Sequence, residues 1–231
     1  MKILGIESSS IAASCAISED NNLLGEFTLN HKLTHSEKLM PLVESLMSSL
    51  DVNISDIDLI AIDEGPGSYT GLRIGAAIAK GLAFSKNIPL VNIASTEALA
   101  NNIKTVDIPI AVLIDARGER VFYGIYIRAG DKLEELEEID SGTIQEFLQS
   151  TNEKYKKMIF TGDGALKHKT LITEKFGEKV LVADDYDSII KAWSLCNLGY
   201  KKYIKGHKIN SKDFSPNYLR PSQAERNLKK D

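Results

Sequence analysis

Few stretches of this chain combine residue types and spacings that could do chemistry, and the most suggestive is Asp63-Glu-Gly-Pro-Gly-Ser-Tyr-Thr70. A glycine-rich loop ahead of a helix can present backbone N–H groups and the positive end of the helix dipole to a phosphate. A P-loop, however, also carries Lys and Ser or Thr at the helix start, and a dinucleotide fold carries G-x-G-x-x-G; this loop has neither. Asp63 and Glu64 beside it would also repel an anion. A turn that lets a helix pack closely is the better reading. His31 and His35 have i, i+4 spacing, which puts two imidazoles on one helical face toward a metal. Spacing supplies no third ligand, and Lys32 stands where a zincin carries its glutamate, so no metal is expected. Cys15 and Cys196 fit no C-x-x-C or zinc pattern and read as buried thiols in a reducing compartment.

The elements that position the loop follow from periodicity. Leu59-Ile-Ala-Ile62 is a short apolar run with the look of a buried strand, and Ser68 or Thr70 can cap the helix after the turn. Along that helix Ile74, Ala77, Ile78, Gly81 and Leu82 recur at helical spacing and are expected to face the core. A second stripe of Gly71, Gly75 and Ala79 has almost no side-chain bulk, so it is expected to admit another helix. Upstream, Lys2 to Ile6, Ala13 to Ile17 and Leu24 to Thr28 read as a three-strand meander. An amphipathic helix follows from about Ser36 to Leu50, then, past the loop, a strand from Leu90 to Ile93 and a short helix after Ser95 or Thr96.

After Ile110 the order begins again. Strands are expected at Ile110 to Ile114, Val121 to Ile127 and Leu133 to Ile139, a helix at Thr143 to Ser150, and strands at Met158 to Thr161 and Val180 to Ala183. Gly162-Asp-Gly164 reads as a tight turn and Asp187 to Tyr203 as the last helix. The repeat implies an α/β protein of two related lobes, the second degraded: residues 1–103, 104–207, and a basic tail over 208–231 that packs back on the first lobe. From Lys201 to Asp231 there are nine Lys or Arg against three Asp or Glu, while the whole chain carries −4. Such a tail is either solvated or a phosphate contact. Glu134, Glu135, Glu137, Glu138 and Asp140 read as a solvated strand face. With 231 residues, 43% of them hydrophobic, the core can be substantial. No run approaches a membrane span or a signal peptide, so a cytoplasmic location is expected.

Four segments taken in order resemble the TsaB (YeaZ) family: Ile3-Leu-Gly-Ile-Glu-Ser-Ser-Ser10, Gly65-Pro-Gly-Ser-Tyr-Thr-Gly-Leu-Arg-Ile-Gly75, Ile114-Asp-Ala-Arg117 with Val121-Phe-Tyr123, and Pro216-Asn-Tyr-Leu-Arg220. The resemblance implies a two-lobed fold of the actin, hexokinase and heat-shock-protein ATPase type, which is ribonuclease H-like. It also implies a non-catalytic scaffolding subunit that binds a TsaD-type threonylcarbamoyltransferase and serves threonylcarbamoyladenosine synthesis at position 37 of tRNAs reading codons that start with A.

Further implied partners are a TsaE-type ATPase, tRNA through the complex, and a second copy of the chain when the TsaD-type protein is absent. The partner surface is expected around Gly71, Arg73, Gly75 and Ala79, with Leu39 and Leu46 as candidates from the neighbouring helix and intrachain packing as the competing account. In such folds the first hairpin carries an acidic residue and small hydroxyls near the phosphates, and Glu7, Ser8, Ser9 and Ser10 occupy that place. Glu7 replaces the usual aspartate, Asp163 interrupts Gly162 and Gly164, and no motif positions a second carboxylate. No cofactor is therefore expected within the chain, ATP or ADP being placed at most at the joint of the complex. The alternatives are a stand-alone ATP-dependent phosphotransferase and a metallopeptidase-like protein, the latter without a ligand set or general base.

Overall fold

The computed structural model describes residues 1–31 and 35–219. Three strands open the chain, β1 (Lys2–Glu7), β2 (Ala13–Glu19) and β3 (Asn22–Leu29), followed by α1 (His35–Ser49), β4 (Leu59–Gly65), α2 (Tyr69–Lys86), β5 (Leu90–Ala94) and α3 (Ser95–Asn102). The second half repeats the series: β6 (Ile110–Asp115), β7 (Arg120–Ala129), β8 (Lys132–Thr143), α4 (Ile144–Lys154), β9 (Met158–Thr161), α5 (Asp163–Lys167), α6 (Lys169–Phe176), β10 (Val180–Val182) and α7 (Ala192–Tyr203). Each half forms a five-stranded sheet, and the orders β3-β2-β1-β4-β5 and β8-β7-β6-β9-β10 correspond strand for strand. In each, a meander is extended by parallel strands on the far side of its first strand.

The meander turns follow from residue type. Asp20 and Asn21 both have positive φ, the geometry that lets a two-residue hairpin follow the twist of its strands, and Asx residues tolerate it. The acidic run lies on β8, at the sheet edge, where Glu134, Glu135 and Glu138 are exposed and discourage pairing with another strand.

Burial on both faces explains why β1 and β4 are almost continuously apolar. Leu4 and Ile6 of β1 join a core with α1 and α2, built on Leu39, Val43, Leu46, Ala79 and Ala83. Ile3 points the other way, into a core between the two sheets that contains α3 and α7. The outer face of the second sheet is covered by α4 and α6 through Phe147, Leu148, Ile172 and Phe176. Both cysteines are buried, and burial pushes each thiol up to about 12, so neither is poised for chemistry.

Three expectations need correction. On α2 the faces are exchanged: Gly71, Gly75 and Ala79 are buried, whereas Ala77 and Gly81 are exposed and Ile74, Ile78 and Leu82 only half-buried. The small residues form the inner face because α2 lies directly on backbone, as the site geometry shows below. The last helix starts at Ala192, not Asp187. The carbonyls of Asp187, Ile189 and Ile190 accept side-chain donors from Asn102, Thr161 and Ser14, which holds this segment out of a helix. Gly162-Asp-Gly164 is not a plain turn: Gly162 precedes α5, and a β-carbon there would stand 2.3 Å from the Leu113 carbonyl oxygen.

The segment after α7 returns to the first half. Ile209 bridges to Leu90, Phe214 is buried against the α1–α2 core, and the Asn217 amide donates to the Glu64 carbonyl at 2.7 Å. Residues 220–231, half of the basic tail and including Lys229 and Lys230, lie outside the described residues, as does the side chain of His35; His31 is exposed.

Candidate functional site: a packed loop beneath an open helix face

The first meander and the β4–α2 loop meet because β1 and β4 are parallel neighbours, so Glu7 and Asp63 lie together at the C-terminal ends of the two strands. Both carboxyls are buried, along with Ser8 and Ser9. Glu7 Oε1 accepts the Ser9 and Ser10 amides at 2.7 and 3.2 Å and lies 2.9 Å from Ser9 Oγ. Asp63 Oδ1 accepts the Gly65 amide at 2.7 Å and Ser95 Oγ at 2.6 Å, while its Oδ2 lies 2.7 Å from the same Ser9 Oγ. Sequence reasoning left Glu7 without a second carboxylate; Asp63 is that carboxylate. Its signal was the strand pairing, because Asp63 continues the apolar run that lies beside β1.

Hydrogen counting favours one shared proton in the pair. Ser9 Oγ has a single hydrogen to donate, yet it touches two carboxylate oxygens, so satisfying both contacts requires a proton on one carboxyl. Burial raises both groups: Glu7 stands well above the ordinary carboxylate range through desolvation and then the Asp63 charge. Asp63 rises to about 6, again through desolvation, held back by the Ser95 and Ser9 donors. The two titrate as one unit. Glu7 Oε2 is buried with no hydrogen-bond partner among the described residues.

Several of the amides that a phosphate cradle would use are already bonded within the chain. Besides those on Glu7 and Asp63, the Ser68 amide donates to the Ser9 carbonyl at 2.6 Å, the Gly71 amide to Ser68 Oγ at 3.3 Å and the Leu72 amide to the Ser68 carbonyl at 2.9 Å. The space is filled as well. A β-carbon on Gly71 would sit 1.8 Å from the Ser8 carbonyl oxygen, and one on Gly75 would sit 2.5 Å from Ser8 Oγ, which itself donates to the Gly71 carbonyl. The glycines thus bring the helix backbone onto the serine loop. Among the described residues no group of three His, Cys, Asp or Glu is placed to hold a metal ion.

Of the six residues expected at a partner surface, Gly71, Gly75, Ala79, Leu39 and Leu46 are buried by the chain itself, and Arg73 is exposed. Arg73 stacks 4.2 Å above the Tyr69 ring, hydrogen-bonds the Tyr69 hydroxyl and reaches Tyr218, which also packs on Tyr69 with 4.6 Å between ring centroids. The open face of α2 runs from Arg73 through Ala77 and Gly81 to Phe84, which is 71% exposed. That Ala77, Gly81 and Phe84 are the exposed members was not legible, since two rows of small or apolar residues on one helix look alike until one is packed.

Comparison with known proteins gives this geometry its context. Residues 22–228 match the family model described as TsaD, tRNA N6-adenosine threonylcarbamoyltransferase. The tRNA threonylcarbamoyladenosine biosynthesis protein TsaB of Bacillus subtilis is 31% identical, covering 97% of this chain and 96% of that protein. The chain belongs to the TsaB (YeaZ) family. The Haemophilus influenzae TsaB is 27% identical over 95% of this chain and 94% of its own length. The solved structure of YeaZ from Pseudomonas aeruginosa superposes with a TM-score of 0.77 at 22% identity, covering 94% of this chain and 99% of that one. A more distant likeness to component A of (R)-2-hydroxyglutaryl-CoA dehydratase from Acidaminococcus fermentans has a TM-score of 0.52, at 11% identity over 88% of this chain and 99% of that one. The expected α/β fold, two five-stranded sheets with helices between and outside them, is shared with these solved structures. Among the described residues no helix is long and apolar enough to cross a membrane.

Proposed function

We propose that this chain is a non-catalytic cytoplasmic subunit of tRNA threonylcarbamoyladenosine biosynthesis, one that binds a TsaD-type threonylcarbamoyltransferase and supports its reaction. The occupied loop carries this reading: the amides nearest the buried Glu7–Asp63 pair, those of Ser9, Ser10 and Gly65, are bonded within the chain, as is that of Ser68, and are not free to clamp a phosphoryl group. The same observation weighs against the stand-alone phosphotransferase, and the absence of a ligand cluster among the described residues against the metallopeptidase. What the molecule offers instead is a surface. The exposed row of Arg73, Ala77, Gly81 and Phe84 on α2, a helix that also packs on α1, is narrow in bulk and has one large apolar side chain at its end. Two helices of a TsaD-type protein fit such a face. A second copy of this chain would use the same row when that partner is absent, and a TsaE-type ATPase would join the assembled pair. Any adenine nucleotide of the complex is expected at the joint, since this chain's own loop is filled.

The test is threonylcarbamoyl transfer to tRNA by TsaD- and TsaE-type proteins and the enzyme that makes threonylcarbamoyl-adenylate, with and without this chain. Product that requires the chain supports the subunit reading, and product without it rejects that reading. Phe84→Asp is expected to leave stability nearly unchanged, as surface substitutions do, while weakening the TsaD-type partner's binding by about 30-fold, the loss of one apolar anchor of about 2 kcal/mol. Unaltered affinity would place the contact elsewhere.

A further inference from the structure

On the side of the molecule marked by the β2–β3 and β7–β8 turns lies a second concavity, of about 650 Å³, a size usual for small-molecule sites. Both halves build it: Asn21 from the first turn, Gly130 and Asp131 from the second, with side chains from the ends of α3 and from α7 between them. Three cations line it, Lys104, Arg128 and Lys201, against one carboxylate, Asp131. Among the described residues none of the three cations is in an ion pair within 4.0 Å.

Arg128 is the anomaly. It is only 5% exposed, and its guanidinium is held by neutral acceptors alone: Nε donates to the Ile103 carbonyl at 2.9 Å, and Nη2 to the Asn101 carbonyl and Oδ1 at 3.3 and 3.0 Å. A buried guanidinium without a carboxylate is costly unless something else supplies the negative charge. Its setting is fixed in advance. Asn101 Nδ2 donates to Asn197 Oδ1 at 3.3 Å, and Asn197 Nδ2 to Asn21 Oδ1 at 2.8 Å, so a chain of amides orients the acceptor on which Arg128 rests. The two lysines are held nearby, Lys104 Nζ on the Asn101 carbonyl at 2.8 Å and Lys201 Nζ on the Asp131 carbonyl at 3.3 Å. Each amine is pushed below the ordinary lysine range, first by burial and then by the Arg128 charge. The fold thus holds together cations that repel one another.

We propose that this cleft binds a small phosphorylated anion, with Arg128 as the fixed donor and Lys104 and Lys201 closing on it. A dianion would relieve the mutual repulsion of all three groups and receive charge-assisted hydrogen bonds. A nucleic-acid backbone offers the same chemistry, but β8 leaves the rim of the cleft as an acidic strand, with Glu134, Glu135 and Glu138 exposed, and that favours a compact anion over a polyanion.

The experiment titrates inorganic pyrophosphate into the full chain at constant ionic strength, read by calorimetry and by the phosphorus NMR line width. Saturable one-to-one binding is expected, weakened about tenfold or more in Lys104→Met/Lys201→Met, whose substituted side chains are solvent-accessible enough to leave the fold intact. Arg128→Met removes binding where it folds, and the lysine pair keeps the test valid where it does not. Absence of saturable binding, or equal binding by the double variant, overturns the assignment. Displacement of pyrophosphate by tRNA, lost in the same variant, also overturns it and gives the cleft to an RNA phosphate.

Discussion

Gly71→Ala is expected to cost about 3 kcal/mol or more and to leave little folded protein in the cell. The added methyl would lie 1.8 Å from the Ser8 carbonyl oxygen, a backbone atom that has no rotamer through which to escape. Either α2 must lift from the serine loop, breaking the Ser8 Oγ bond to the Gly71 carbonyl, or the loop must move and disturb the ligands of Glu7 and Asp63. Gly81→Ala is the contrast within the same helix. It has nothing within 4 Å, is exposed, and should gain about 0.5 to 1 kcal/mol from helix propensity. Urea midpoints of the two variants against the parent check the pair, and a Gly71→Ala midpoint equal to the parent's would mean that α2 does not seat on Ser8.

The second large effect is a dependence of stability on pH. Glu7 and Asp63 are raised in the folded chain, so the fold binds more protons than the unfolded chain between the ordinary carboxylate range and the folded values. Their contribution is therefore present in full below about pH 4 and is lost as pH rises through about 6 for Asp63 and through the raised range of Glu7. A shift of this size is worth about 2 to 3 kcal/mol. Asp63→Asn isolates the effect. Its Nδ2 takes the place of Oδ2 and donates to Ser9 Oγ, which frees the serine hydrogen for Glu7. The variant is expected to lose the Asp63 share of the parent's decline between pH 4 and 8, with the share due to Glu7 burial remaining, and to exceed the parent in stability at pH 8. Parent stability that climbs relative to the variant over that range would show the pair to be fully ionised in the fold.

Much of this was legible from the chain alone, for identifiable reasons. The meanders, β4 and β5 and the repeat after Ile110 announce themselves through short apolar runs bounded by turn residues such as Asp20-Asn21. The reading of Gly65-Pro-Gly67 as a packing turn needed only the missing lysine and the neighbouring acids. The inner face of α2 was not legible, because hydrophobicity ranks Ile74 and Ile78 above Gly71 and Gly75, whereas close contact with backbone selects for absence of bulk. Nor was the partnership of Glu7 and Asp63, residues 56 positions apart by numbering that meet only through strand pairing. The cleft at Arg128 draws on four separate segments, each ordinary by composition.

The two halves, alike in order, trade their last helices. α7, from the second half, seats on β1 and β2, with its backbone against Gly5, whose β-carbon would meet the Ala192 carbonyl oxygen at 2.5 Å. α3, from the first half, buries Leu99 and Ala98 in the same inter-sheet core, with Thr96 on the Tyr126 hydroxyl of β7. Neither half is thus a module that can be cut out or swapped alone: a chain ending near residue 103 would expose the bare inner face of its own sheet, so two halves of matching strand order make one indivisible unit.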